Sequence, residues 1–162
     1  MNTKIVRKNL VLLTLIVLLC LAPRLAQAGE GDEKAVKQAV AQFYSALNTM
    51  FTGEIAPMME VWSHAADVTY MGPGGGFEVG WKAISPIWEK QAAMKLGGSV
   101  NSEEMKVIVG DNLAVVHNYE IGKNTNVKGK AQSVDIRATN IFRKEDGKWK
   151  MIGHHTDLLP GL

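Results

Sequence analysis

The chain has 162 residues, and its 18 Lys and Arg against 16 Asp and Glu give a formal net charge of +2. This length favours one domain, and 46% apolar with 21% charged residues excludes collagen-like and wholly disordered chains. The charge is unevenly placed, because residues 1–28 hold four basic residues and no acidic one. The remaining residues carry 14 bases and 16 acids, a net charge of −2. With no basic stripe either, the chain is not expected to bind nucleic acid.

The first 28 residues have the three parts of a secretory signal peptide. A basic stretch at 1–9 precedes the 13-residue apolar run LVLLTLIVLLCLA at 10–22, and Ala26, Gln27 and Ala28 form a small-x-small cleavage pattern. A membrane-spanning helix needs about 20 apolar residues. We therefore expect cleavage after Ala28, no stable membrane anchor, export to the periplasm or the medium, and a single mature domain at 29–162.

The only cysteine of the chain, Cys20, lies within this apolar run. Leu19 precedes it, whereas lipoprotein signals favour a small residue there, so we do not expect lipidation. The mature domain would have no cysteine, which excludes disulfides, thiolate metal sites and a cysteine nucleophile. Such a composition suits an oxidising compartment, in which a free thiol is a liability.

The first half of the domain has mainly helical patterns. Apolar residues recur with a helical period after Asp32, and Pro57 suits the first turn of a short helix. Gly and Pro mark the segment MGPGGG as a loop. In chain order, the patterns predict helices at 32–51, 56–63 and 81–96, short strands at 68–71 and 77–79, and the loop at 71–76.

The second half changes to the period of β-strands. Turn signals separate four predicted strands, and Asp146-Gly147 between two apolar runs is a strong two-residue hairpin signal. Helices followed by strands indicate an α+β fold with an antiparallel sheet. The predicted strands lie at 105–109, 113–121, 134–143 and 149–156.

This layout and the final hairpin, RATNIFRKEDGKWKMIGHH, carry a resemblance. Over about residues 33–157, the chain resembles the SnoaL-like, ketosteroid-isomerase-like members of the nuclear-transport-factor-2-like superfamily. The resemblance implies a cone-shaped fold, in which a strongly bent antiparallel sheet wraps around about three N-terminal helices. It also implies one apolar pocket at the open end and a homodimer through the outer face of the sheet. This fold hosts isomerases, cyclases, dehydratases, ligand carriers and assembly modules, so it locates a site without naming a reaction.

Side-chain alternation predicts which residues face the pocket. A two-residue turn at 146–147 pairs Asn140 with Gly153 and places His155 on the same face as Asn140. On the preceding strand, the more apolar face carries His117 and Tyr119 as polar tips. A shift of one residue in the turn would move His154 inward in place of His155.

We therefore predict a mostly apolar pocket with a few donors and acceptors, which is typical of a small-molecule site. Trp62 also suits the core, where most buried tryptophans lie. His154 and His155 are adjacent and point to opposite faces of a strand, and no third ligand is evident, so we expect neither a metal nor another cofactor. The predicted ligand-binding residues are Trp62, Tyr70, His117, Tyr119, Asn140 and His155.

Two classes of function fit these residues. The favoured one is an exported protein that binds a small apolar or aromatic molecule, because no pair of residues compels a mechanism. The alternative is an isomerase, cyclase or dehydratase acting on a small apolar carbonyl compound. In that case Tyr70 or Tyr119 would donate a hydrogen bond, and His117 or His155 would act as the base. No catalytic residue is assigned at this level.

Overall fold

The computed structural model describes residues 29–126 and 128–158, so the predicted signal peptide lies outside the described residues. Within these residues, three helices and six strands follow one another in the order expected of the α+β class, so the predicted fold class is confirmed. They are α1 (Glu30–Met50), α2 (Ala56–Val61), β1 (Thr69–Gly72), β2 (Gly75–Val79), α3 (Trp81–Met94), β3 (Ser99–Val109), β4 (Leu113–Thr125), β5 (Ala131–Glu145) and β6 (Lys148–Leu158).

The six strands form one curled, open sheet around the helices. Its strand order is β2-β1-β6-β5-β4-β3. All neighbouring strands are antiparallel except β1 and β6, which run parallel through Thr69 opposite Gly153. The predicted cone of a bent sheet around three helices is therefore confirmed, with one parallel pair added to the antiparallel sheet.

Helix α1 packs one long apolar stripe against the inner face of the sheet. Its acidic first turn, with Glu30, Asp32 and Glu33, lies at the positive end of the helix dipole, where negative charge is favourable. The stripe has the helical period read from the sequence, because residues three and four apart share one face. Its fully buried members are Val36, Val40, Phe43 and Met50.

Among the described residues, no helix is both long and apolar enough to cross a membrane.

The hairpin of β5 and β6 has the predicted turn. Asp146 and Gly147 have φ values of 49° and 77°, as a type I′ turn requires, and Glu145 pairs with Lys148. Further along, a bulge leaves Ile152 without a partner.

Because of the bulge, Ile141 lies opposite Gly153, whereas the next residue, Phe142, lies opposite Met151. A bulge of this kind inserts one extra residue and changes the side-chain phase of its strand.

Because of this bulge, the predicted facing of the two histidines is wrong. Asn140 lies opposite His154 rather than Gly153. His154 is consequently buried at 5% exposure, and His155 lies on the outer face of the sheet. The strand was predicted as regular, which is why the opposite histidine was chosen.

The predicted facing of β4 is also wrong. Val116 lies opposite Asn140, so the inner face of β4 carries Asn118 and Glu120, while His117 and Tyr119 point outward. The more apolar face was assigned to the interior. In this strand the inner face bears buried polar groups, so apolar content alone does not identify it.

Candidate functional site

The six predicted site residues divide between the two faces of the sheet. Trp62, Tyr70 and Asn140 are buried inside. The other three lie on the outer face, and the prediction that His117, Tyr119, Asn140 and His155 share one pocket is wrong.

On the outer face, two of these residues meet around Thr139. His117 Nδ1 lies 3.1 Å from Thr139 Oγ1, and His155 is paired with Thr139 across the strands. Tyr119 lies opposite Arg137. The three side chains therefore form a polar surface of the sheet and do not reach the interior.

Trp62 is a core residue. It is 1% exposed, and its ring centroid lies 5.8 Å from that of Trp88 and 6.1 Å from that of Trp81. It does not line the cavity described next. This placement corresponds to the core role that the sequence left open for it.

A cavity of about 390 Å³ lies between α1, α3 and the inner face of the sheet. Glu120, His154 and Tyr70 are its buried ionisable groups, and Tyr70 and Trp88 supply aromatic surface. No lysine or arginine is among its lining residues. A concave, mainly apolar space with a few buried polar groups has the usual composition of a small-molecule site.

Behind the cavity, a hydrogen-bonded network connects α1 with three strands. Tyr44 donates to Glu120 Oε1 at 3.1 Å and accepts from Asn118 Nδ2 at 2.7 Å. Asn140 Nδ2 donates to Asn118 Oδ1 at 2.9 Å, and Asn140 Oδ1 lies 2.6 Å from His154 Nδ1. All five side chains are buried, so each polar group needs such a partner.

Glu120 is the carboxyl group of this network. It is 4% exposed, and burial raises its pKa from 4.5 to about 7, although the hydrogen bond from Tyr44 acts in the opposite direction. The same burial, followed by the neighbouring charge of Glu120, raises the pKa of the Tyr44 hydroxyl well above its usual range. Glu120 therefore exchanges its proton near neutral pH, while Tyr44 remains a donor.

His154 faces this carboxyl group without forming an ion pair. Its Nε2 lies 3.6 Å from Glu120 Oε1, close enough for an ion pair if the imidazole were protonated. However, burial, with a smaller effect of His155, lowers the pKa of His154 to about 3. Because burial disfavours the imidazolium, His154 stays neutral at neutral pH, and Glu120 is the group of the pair that gains or loses a proton there.

Tyr70 is the second polar group of the cavity wall. Its hydroxyl oxygen accepts a hydrogen bond from Gln91 Nε2 at 3.1 Å, which leaves its own hydrogen available for a bound molecule. Burial raises the pKa of Tyr70, so that this hydrogen is retained. Gly72 is required beside it, because a Cβ at that position would overlap the hydroxyl.

Tyr44, Asn118 and Glu120 were not predicted from the sequence, and His155 was predicted in place of His154. A signal for Glu120 was present, because Ala114 and Val116 alternate with it along β4. Tyr44 lies in the apolar stripe of α1 and was not recognised as polar support. Among the described residues, no group of three or more His, Cys, Asp or Glu is arranged to hold a metal ion.

Comparison with solved structures finds the same fold in other proteins. A candidate dehydratase of the NTF2-like family from Streptomyces avermitilis has 21% identity and a TM-score of 0.71, covering 82% of this chain and 99% of its own. A candidate ketosteroid isomerase from Shewanella frigidimarina has 21% identity and a TM-score of 0.63, covering 76% and 94%.

A candidate calcium/calmodulin-dependent protein kinase type II association domain from Thiobacillus denitrificans also has 21% identity. Its TM-score is 0.65, and the match covers 76% of this chain and 94% of that one. A search of curated proteins found no match. The family model of the SnoaL-like domain matches residues 36–158. With most of its length matched, and with the cone fold found independently among solved structures, this chain belongs to the SnoaL-like family.

Proposed function

We propose that this protein is an acid–base enzyme of the isomerase or dehydratase type, acting on a small, neutral carbonyl compound. The observation that carries the proposal is Glu120, a buried carboxyl group at the cavity whose pKa is raised to about 7. Proton transfer is most efficient when the pKa of the catalytic group lies near the working pH. From the sequence a binding protein was favoured, because no buried carboxylate of this kind had been identified.

The chemistry follows from the groups that line the cavity. The ionised carboxylate of Glu120 removes a proton from the carbon next to the carbonyl, and the C–H electron pair shifts to form an enolate. Tyr70 donates a hydrogen bond to the enolate oxygen, where the charge develops. Glu120 then returns the proton to another carbon in an isomerisation, or to a departing hydroxyl group, which leaves as water, in a dehydration.

The lining also supports a class of substrate. Glu120 and Asp135 are its acidic residues, and it includes no lysine or arginine that could neutralise a carboxylate or phosphate on the ligand. Tyr70, Trp88 and Phe51 provide aromatic surface for an apolar or aromatic body. We therefore propose a neutral substrate, and the two reaction types are those named for two of the structural neighbours.

A second candidate is a binding protein for a small apolar or aromatic molecule. Glu120 is only 4% exposed, and it already accepts a hydrogen bond from Tyr44. A carboxyl group recessed in this way could orient a ligand without reacting with it.

Proton exchange distinguishes the two candidates. A panel of small neutral ketones is incubated with the protein in D₂O, and deuterium incorporation next to the carbonyl is followed by NMR. The enzyme proposal expects exchange that Glu120→Gln abolishes and that Glu103→Gln, an exposed control on β3, retains. Ketone binding without any exchange in the unchanged protein would favour the binding protein.

We also propose that the chain is exported to the periplasm or the medium and that residues 1–28 are removed. The basic stretch, the apolar run and the Ala-x-Ala pattern support this proposal. Mass spectrometry of the protein from an expressing bacterial culture tests it. A mature N-terminus at Gly29 is expected, and intact residues 1–28 in the accumulated protein would contradict it.

We further propose that the protein forms a homodimer through the outer face of the sheet. Ile108, Val115 and Ile141 lie directly opposite one another on β3, β4 and β5 and form an apolar row on that face. Ile108 is 62% exposed, and Leu113 beside the row is 45% exposed. Arg137 and Asp157 form an ion pair on the same face, and charges of both signs suit a self-complementary contact.

A further inference from the structure

The direction of the hydrogen bonds at His154 follows from one backbone carbonyl. Asn118 Nδ2 lies 2.9 Å from the carbonyl oxygen of Tyr119, which can only accept. This contact orients the Asn118 amide, so that its Oδ1 is the atom 2.9 Å from Asn140 Nδ2. The Asn140 amide is thereby oriented as well, and its Oδ1 is the atom 2.6 Å from His154 Nδ1.

Because an amide oxygen can only accept, the hydrogen of this last contact belongs to His154 Nδ1. We propose that Asn118 and Asn140 are positioning residues, which hold neutral His154 as its Nδ1–H tautomer and leave Nε2 as an unprotonated acceptor facing Glu120. In a neutral imidazole, one ring nitrogen donates and the other accepts, so the bond at Nδ1 decides the role of Nε2. The opposite tautomer would place two acceptors 2.6 Å apart.

The ionisable groups around the pair do not change this result. Tyr44 from α1 directs its hydrogen to Glu120, and Tyr70 from β1 has its ring parallel to His154 at 5.9 Å between centroids. Burial raises the pKa of both hydroxyls, so neither becomes an anion. His155, the next residue on β6, points to the outer face.

The other three elements at the cavity bring no cation to the pair, and β3 contributes only Val100. The cavity-lining residues of α3, Trp88 and Gln91, do not ionise. Strand β5 contributes Asp135, which is exposed.

The tautomer has a consequence for catalysis. Glu120 meets a nitrogen lone pair and not a donor, so its charged form gains no hydrogen bond from His154. As the pH falls through neutrality, the pair takes up one proton, which goes to Glu120, and no imidazolium forms. This inference deepens the function proposed above and rests on it only for the role of Glu120 as proton carrier.

Long-range ¹H–¹⁵N correlation spectra of the ¹⁵N-labelled protein test the tautomer directly. The His154 signals are assigned by their loss in His154→Gln. We expect the Nδ1–H pattern of a neutral ring between about pH 5 and 8, the range in which an ordinary histidine titrates. An Nε2–H pattern, or an imidazolium at neutral pH, would overturn the inference.

Variants test the positioning role. Asn140→Leu should allow the Nε2–H form to appear, and Asn118→Ala, which frees the Asn140 amide to turn over, should have the same effect. Asn101→Leu, an exposed position on β3, is the matched control and should leave the His154 pattern unchanged. A pattern that stays fixed in both folded variants would refute the role of the two asparagines.

This measurement needs no substrate. The Nδ1–H pattern without proton exchange would contradict the proposed function and support the tautomer. Proton exchange together with an Nε2–H pattern would support the function and contradict the tautomer.

Discussion

Tyr44 on the first helix donates a hydrogen bond to Glu120 on β4, 76 residues later in the chain, at 3.1 Å. The same hydroxyl accepts from Asn118 and lies 3.4 Å from Asn140 Nδ2. The packing of α1 on the sheet therefore sets the environment of the carboxyl group to which we assign proton transfer.

Replacing Tyr44 by Phe should raise the pKa of Glu120 further, because the hydrogen bond from Tyr44 now lowers it. One of the two buried N–H groups of the Asn118 amide would also lose its acceptor, so we expect a loss of about 1–3 kcal/mol in the free energy of unfolding. ¹³C NMR titration of the carboxyl group and denaturant unfolding measure the two effects. Tyr119→Phe on the outer face should change neither, and an unchanged Glu120 titration in Tyr44→Phe would contradict the network.

The stability of Glu120→Gln relative to the unchanged protein should depend on pH. The folded-state pKa of Glu120 is raised to about 7, so the folded state holds a proton that the unfolded state releases above about pH 4.5. Its stabilising contribution is therefore complete below pH 4.5 and is lost as the pH rises through 7. The uncharged glutamine escapes this loss, and the variant should gain up to about 3 kcal/mol relative to the unchanged protein over this range.

His154 has the opposite effect on the pH dependence of stability. The effect of Glu120 is therefore measured as the difference between the unchanged protein and Glu120→Gln. Its pKa is lowered to about 3, so its contribution is present above the ordinary value of 6.5 and is lost as the pH falls through 3. Between about pH 4.5 and 6.5, Glu120 makes the free energy of unfolding of the unchanged protein fall with rising pH, whereas His154 makes it rise. Denaturant unfolding at several pH values checks this, and a Glu120→Gln difference that is constant with pH would rule out the raised pKa.

Tyr70→Phe should slow proton exchange of a ketone substrate by about 10²-fold, since it removes the donor proposed for the enolate oxygen. The ring packing against Trp88, with 4.6 Å between centroids, would remain. The exchange rate in D₂O is the measurement, and Tyr119→Phe is the control. Equal rates in Tyr70→Phe and the unchanged protein would remove Tyr70 from the mechanism.

Ile108→Glu should convert the proposed dimer to a monomer, because it places a charge in the apolar row of the outer face. Phe77→Glu is a matched control, since Phe77 on β2 is 63% exposed against 62% for Ile108 but lies at the other edge of the sheet. Light scattering after size-exclusion chromatography gives the mass of each variant. A monomeric unchanged protein, or a dimer that survives Ile108→Glu, would exclude this interface.

Much of the fold could be predicted, because its signals are local. The helical period of α1, the alternating strands and the Asp146-Gly147 turn each depend on residues close together in the chain. The parallel pairing of β1 with β6 had no such signal, since it joins segments about 80 residues apart. The bulge at Ile152 was also hidden, and it decided which histidine turned inward.

The sequence by itself determined the class of fold, the family resemblance and the types of side chain available to a site. Tertiary structure decided which of them meet, because a strand has two faces and one extra residue exchanges them. It turned His117, Tyr119 and His155 outward and brought Glu120 and His154 together under Tyr44. Burial then raised the pKa of Glu120 and lowered that of His154. These shifts depend on the residues packed around each group, so the sequence alone does not reveal them.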